Sequence, residues 1–243
     1  MLYGNYDVKE HTSAAHLPEY KGTSHSNTEE QMSVRPVLSV FVGDAGAQSF
    51  VLVTSAVPPN YDCHACAPTI GMAIFSHEGR KWTMTASNRA ATYAGDWGEP
   101  PVDIQSVQIG PNHPAVQISE VSNGQGEGTA ILELLIPWNG TINRGLRRVV
   151  SNGYVCGEED GGVPCYANQR TVKFIANGKP EYYDLELELT GTDLTGGNGT
   201  PMRAQEVHGI ETLKLENGKY VQVSRQGDLT TADRAVAERE GLR

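Results

Sequence analysis

The run Tyr182-Tyr183-Asp184-Leu185-Glu186-Leu187-Glu188-Leu189-Thr190 puts a leucine at every second position and a carboxylate between each pair. A period of two sends Leu185, Leu187 and Leu189 to one face of an extended strand and the carboxylates to the other, which a 3.6-residue helix cannot do. The same reading applies along most of the chain. Val34-Arg35-Pro36-Val37-Leu38-Ser39-Val40-Phe41 and Phe50-Val51-Leu52-Val53-Thr54 are rich in β-branched and aromatic residues and flank turn residues at Gly43-Asp44-Ala45-Gly46, so they predict a hairpin. Thr69–Phe75 and Lys81–Ala86 predict a second, around Ser76-His77-Glu78-Gly79. Val102–Ile109 and Ala115–Val121 alternate on either side of Gly110-Pro111-Asn112-His113-Pro114, and Ile210–Leu215 joins Lys219–Val223 through Glu216-Asn217-Gly218, whose Asn-Gly pair is a tight-turn signal.

Thr129–Ile136 has helical propensity, yet Gly124-Gln125-Gly126-Glu127-Gly128 opens it and Pro137 closes it, so a central strand is expected. The glycines there superficially resemble a phosphate loop, but a strand follows where a helix N-terminus would be needed, so they predict a turn. One helix start is visible, at Thr230-Thr231-Ala232-Asp233, which has capping-box form. About twelve strands at hairpin spacing place the chain in the all-β class. The expected architecture is an antiparallel sandwich, a barrel or a short propeller-like array with a short C-terminal helix.

Residues 1–33 carry His11, His16 and His25 among Ser, Thr, Glu and Lys with little apolar periodicity, and predict a flexible arm. Residues 34–227 are expected to form one β domain, and 228–243 a helical tail. The 29 Asp+Glu against 19 Lys+Arg give a net charge of −10, which argues against a nucleic-acid partner. No run reaches the ~18 apolar residues of a membrane-spanning helix. Asn-Gly-Thr sequons occur at Asn139 and Asn198.

Four cysteines lie in two local pairs, Cys63 with Cys66 and Cys156 with Cys165. Local disulfides are the leading reading, and they favour an oxidising compartment, periplasmic or extracellular, although the opening residues Met1–Asp7 lack the basic and apolar regions of a secretory signal. A second reading places a soft ion such as zinc or copper on Cys63, His64 and Cys66, with His77, Cys156 or Cys165 completing the set. A third treats Cys63-His64-Ala65-Cys66 as a redox dithiol, without the βαβ setting such motifs keep. No cofactor is expected under the first reading. Nucleophile-elbow, zinc-protease, P-loop and calcium-loop motifs are absent from the sequence.

The segment Tyr93-Ala94-Gly95-Asp96-Trp97-Gly98-Glu99-Pro100-Pro101 is the candidate binding surface. Tyr93 and Trp97 supply rigid contact area, and Asp96 and Glu99 meet cationic or hydroxyl groups. Its alternative is a loop whose Trp97 folds back to cap the core.

With Cys63-His64-Ala65-Cys66-Ala67-Pro68, Trp82 and Gly95-Asp96-Trp97-Gly98 in place, the central third resembles uncharacterised exported proteins of Gram-negative bacteria that carry a Cys-His-x-Cys-x-Pro segment before a β-rich body. That resemblance implies a periplasmic or surface location and no particular activity. Tyr183–Leu187 and the Gly218-Lys219-Tyr220 hairpin are similar to repeats of FG-GAP-like extracellular β proteins, without the calcium loop usual there. The functional expectation is a non-catalytic binding protein that recognises a protein or other extracytoplasmic macromolecule, of inhibitor or immunity type. The competing expectation is a metal-binding or thiol redox protein built on Cys63, His64 and Cys66.

Overall fold

A computed structural model describes residues 2–4, 6–21, 24–43, 48–59, 66–124, 126–155, 164–178, 180–197 and 200–233, without the side chains of 19–21, 24–28, 78 and 197. The strands, in order, are β1 (Tyr6–Asp7), β2 (Thr12–Lys21), β3 (Ser24–Val42), β4 (Ser49–Val57), β5 (Thr69–Glu78), β6 (Lys81–Tyr93), β7 (Asp103–Gln108), β8 (Pro114–Gly124), β9 (Glu127–Trp138), β10 (Thr141–Tyr154), β11 (Tyr166–Ile175), β12 (Asp184–Gly197), β13 (Thr200–Glu216) and β14 (Lys219–Gly227). They make a mostly antiparallel sheet, not closed into a barrel, followed by a short C-terminal helix. No helix among the described residues is long and apolar enough to cross a membrane.

The expected single domain is corrected, because the chain divides into two compact units. The first holds residues 1–120, 133–146 and 217–219, and the second holds 121–132, 147–216 and 220–243. Three of the five boundaries fall inside β8, β9 and β10 and the other two bracket the β13–β14 turn, so no Pro/Gly-rich linker marks them in the sequence.

In the first unit, β1 to β6 pair consecutively and antiparallel, and β7 pairs with β8. Ser87 of β6 and Thr141 of β10 make a parallel pairing. Alternate residues Val51, Val53, Met72 and Ile74 point into one core with Val116, Ile118, Leu135 and Ile142. The flexible arm is corrected as well. β2 pairs with β3 from Ser13↔Val34 to Lys21↔Ser24, and Leu17 and Met32 are buried in a second core with Tyr3, Ala15, Val34 and Ala56. The buried face of β2 is Ser13, Ala15 and Leu17, whose small first members hide the period of two from a hydrophobicity count. His11 precedes β2 and His16 is exposed on it, while the side chain of His25 lies outside the described residues.

Two turns in this unit have Asn-Gly at their centre. Asn139 and Gly140 have φ of 49° and 79°, and Asn217 and Gly218 have 51° and 77°. Positive φ at both central residues is what a type I′ turn requires, and its twist suits the flanking strands. Asn139 therefore has a structural role that its reading as a sequon overlooked. Asn198 lies outside the described residues.

In the second unit β11, β12 and β13 pair antiparallel, with the end of β10 beside β11 and β14 beside β13. Leu185, Leu187 and Leu189 are all buried, as their alternation demands. The expected helix start is present as a capping box: Asp233 N–H donates to Thr230 Oγ1 (3.2 Å), and Thr230 N–H donates to Asp233 Oδ2 (2.9 Å). Residues 234–243, which were to continue the helix, lie outside the described residues.

That turn is fastened to the sheet by charge. Arg170 of β11 donates to Asp233 Oδ2, and Asp193 of β12 accepts from both the N–H and the hydroxyl of Thr231. Glu211 of β13 stands 3.8 Å from Arg170 Nε and 3.0 Å from an Arg225 nitrogen of β14. Arg170, Asp193 and Glu211 are all buried; Arg170 and Glu211 are offset by each other, Asp233 and Arg225, while Asp193 is held by the Thr231 donors.

Candidate functional site

The candidate surface turns on four residues, Asp96-Trp97-Gly98-Glu99, in the first unit. Asp96 N–H donates to Glu99 O (3.2 Å) and Glu99 N–H to Asp96 O (2.7 Å), which closes a two-residue reversal. Trp97 has φ of 50° and Gly98 of 74°. The turn is thus of type I′, with tryptophan where Asn, Asp or Gly is usual. An L side chain in left-handed backbone costs about 1–2 kcal/mol, so the surroundings must impose the conformation.

Three contacts do so. Gly98 N–H donates to Cys66 O (2.8 Å), and Gly95 N–H donates to Glu120 Oε1 (2.9 Å). Arg35 of β3 pairs with Glu99 through a short charged hydrogen bond. Both side chains of that last pair are about half exposed or more (47% and 68%), so it orients the turn and adds little stability. Gly95 is required on steric grounds, since a Cβ there would lie 2.0 Å from Glu99 O.

Trp97 is 55% exposed, so it does not cap the core, and Asp96 and Glu99 are exposed beside it. The three form one acidic-aromatic edge. Tyr93 is separate from them in character: it ends β6, is half-buried, and its hydroxyl donates to Pro18 O (3.4 Å) of β2. Burial pushes its phenol above the ordinary value, against a lowering contribution from Thr69. Sequence reading missed Arg35 and Glu120, which lie far from the turn in the chain, and took Tyr93–Pro101 as a loop without placing the reversal at Trp97-Gly98.

The cysteine expectations need correction. No disulfide has both its cysteines among the described residues, because Cys63 and Cys156 lie outside them, as does His64. The expected pairings Cys63–Cys66 and Cys156–Cys165 are therefore not part of the described structure, whose strands are held by ladder pairing and buried cores. Neither Cys66 nor Cys165 is a free thiol. The metal set of Cys63, His64, Cys66 and His77 is set aside: Cys66 offers no free thiolate, and the His77 ring packs on Trp82 with centroids 4.8 Å apart. Among the described residues, no group of three or more His, Cys, Asp or Glu is placed to hold an ion.

No family model, curated protein or solved structure matches this chain.

Proposed function

We propose that the chain is a non-catalytic binding protein that recognises a basic segment of another protein through Asp96, Trp97 and Glu99. The observation that carries this reading is Trp97, held exposed at φ of 50° by contacts from Cys66, Glu120 and Arg35. Strain fixed in place at an exposed aromatic is characteristic of a recognition element, because the ordering cost is met before the partner arrives. The Asp96 carboxylate and a chain charge of −10 select for Lys or Arg on the partner, and the indole face attracts the same cations. An extracytoplasmic setting belongs to the proposal and is supported by the Cys-His-x-Cys-x-Pro resemblance.

The test replaces Trp97 with the photo-crosslinking residue benzoylphenylalanine in cells that make the protein, with exposed Val8 replaced as the control. Expected are adducts at position 97 on Lys- or Arg-rich peptides of one partner, which then binds the purified protein and loses affinity about tenfold or more with Trp97→Ala. Equal adducts at positions 97 and 8 would overturn the reading.

A further inference from the structure

A groove of about 580 Å³ opens in the second unit between the β8–β9 hairpin and the paired ends of β10 and β11. Its volume is that of a small-molecule site. The binding edge at Trp97 has no part in it.

Glycine shapes the floor. Gly124, Gly126, Gly128 and Gly153 all line the groove, so backbone is exposed where side chains would fill it. A Cβ on Gly126 would come within 3.0 Å of Tyr154 Cε2, and one on Gly128 within 3.0 Å of Asn123 Oδ1. Tyr154 and Tyr166 are direct cross-strand partners, which sets both rings on one face of the ladder. Polar side chains line the groove beside the rings. Thr129 Oγ1 donates to Asn152 Oδ1 (3.2 Å), and Glu127 and Asn123 also line the groove. The Tyr166 phenol is raised by burial and by the carboxylates of Glu127 and Asp193, against a lowering hydrogen bond with Asn152.

No Lys, Arg or His is among the described lining residues, and Glu127 is the charged one. An anionic ligand would meet no counter-charge there, and a purely apolar one would make no use of the polar edge formed by the Thr129–Asn152 pair and the exposed Glu127. A pyranose satisfies both conditions. Its C–H face packs on tyrosine rings while its hydroxyls, each donor and acceptor, pair with carboxamide, carboxylate and hydroxyl groups. We infer that this groove is a binding site for a neutral saccharide, lying on the adjacent rings of Tyr154 and Tyr166 and oriented by Asn123, Glu127, Thr129 and Asn152.

The experiment is calorimetric titration of the full chain with maltotriose, cellotriose, chitotriose and mannotriose, with glucuronate and octanoate as anionic and apolar-tailed controls. Expected is a dissociation constant of about 1 mM or tighter for at least one neutral sugar and none measurable for the controls. Tyr166→Phe, which removes one hydroxyl and leaves the ring, should weaken that binding about three- to tenfold, as the loss of one hydrogen bond predicts. Gly128→Val should abolish it, with the thermal midpoint measured alongside to exclude unfolding. Trp97→Ala should leave it unchanged, which separates this site from the protein-binding edge. Binding of no neutral sugar at millimolar concentration, or binding indifferent to Tyr166→Phe, would overturn the inference.

Discussion

Arg170 on β11 holds the carboxylate of Asp233 at 2.5 Å across 63 residues of intervening chain, and that carboxylate also completes the capping box of the final helical turn. One oxygen thus serves a local and a tertiary purpose at once. Removing Arg170 leaves Asp233 without its counter-ion and Glu211 with Arg225 alone, so Arg170→Ala is expected to destabilise the second unit by about 3–5 kcal/mol. Asp233→Asn keeps the shape of the cap and loses the charge, and should cost less than Arg170→Ala. Urea unfolding followed by Tyr220 fluorescence in a background lacking other tyrosine signals, or amide exchange of β11 and β12, measures both. Equal stability of Arg170→Ala and the parent would show that the network contributes nothing net.

A sign inversion is expected at the Asp96–Glu99 turn. Both Trp97→Ala and Trp97→Gly delete the indole, but only glycine is at ease at φ of 50°. Trp97→Gly should therefore be more stable than Trp97→Ala by about 1 kcal/mol, a midpoint difference of roughly 2–4 °C, whereas ordinary strand positions favour alanine. Differential scanning calorimetry of the two variants decides it.

Alkali should unfold the protein through its tyrosines. Burial raises the phenols of Tyr3 and Tyr220 above their ordinary value of 10.0, Tyr220 the more strongly and with Asp184 adding to the shift. In the unfolded chain both ionise near pH 10. Folded, they keep their protons to higher pH, so the stability they contribute is complete below pH 10 and is lost as pH rises through the folded values. Each should make stability fall with pH above 10, the limiting slope for one phenol ionised in the unfolded chain and protonated in the folded one being about −1.4 kcal/mol per pH unit. Tyr220→Phe removes its own share of that slope and the hydrogen bond to Tyr183 O (3.0 Å). Chemical denaturation between pH 9 and 11 (a range set by the ordinary phenol value) should show the flatter profile in the variant; parallel profiles would rule out Tyr220 as a source.

The N-terminal strands are integral to the first unit, so Leu17→Ala should cost about 2–5 kcal/mol, as expected for a leucine that is 1% exposed. Gly71→Ala tests the same packing from the other side. Its Cβ would meet Tyr3 OH at 2.5 Å and the Arg89 and Thr54 oxygens at 2.8 Å, and about 1–3 kcal/mol of overpacking is expected. A flexible arm would leave Leu17→Ala silent in thermal melts.

Strands whose apolar members are large were legible in the sequence: Leu185, Leu187 and Leu189 announced β12, and Val51 and Val53 announced β4. β10 and β11 were missed because Arg147, Arg148, Asn168 and Arg170 interrupt their apolar pattern, and Arg170 is buried by pairing with ions supplied from β13 and the C-terminal turn. Such compensation has no local signature. The turn at Trp97 could be suspected from composition, but its strain could not, since φ at Trp97 is imposed by Cys66, Glu120 and Arg35. The groove was read as a simple turn because its wall, Tyr154 and Tyr166, comes from the two unrecognised strands.

The chain passes between its two units at 120/121, 132/133, 146/147, 216/217 and 219/220. During synthesis, then, neither unit can finish before the other has been largely made. The first waits for residues 217–219, about 100 residues after its main segment ends, which at ~5–20 residues per second is roughly 5–20 s on the ribosome. For that interval the partly built sheet depends on whatever shields nascent β-strands. The same threading means that no single cut in the gene yields a separable half, so evolution or engineering has to move the two units together.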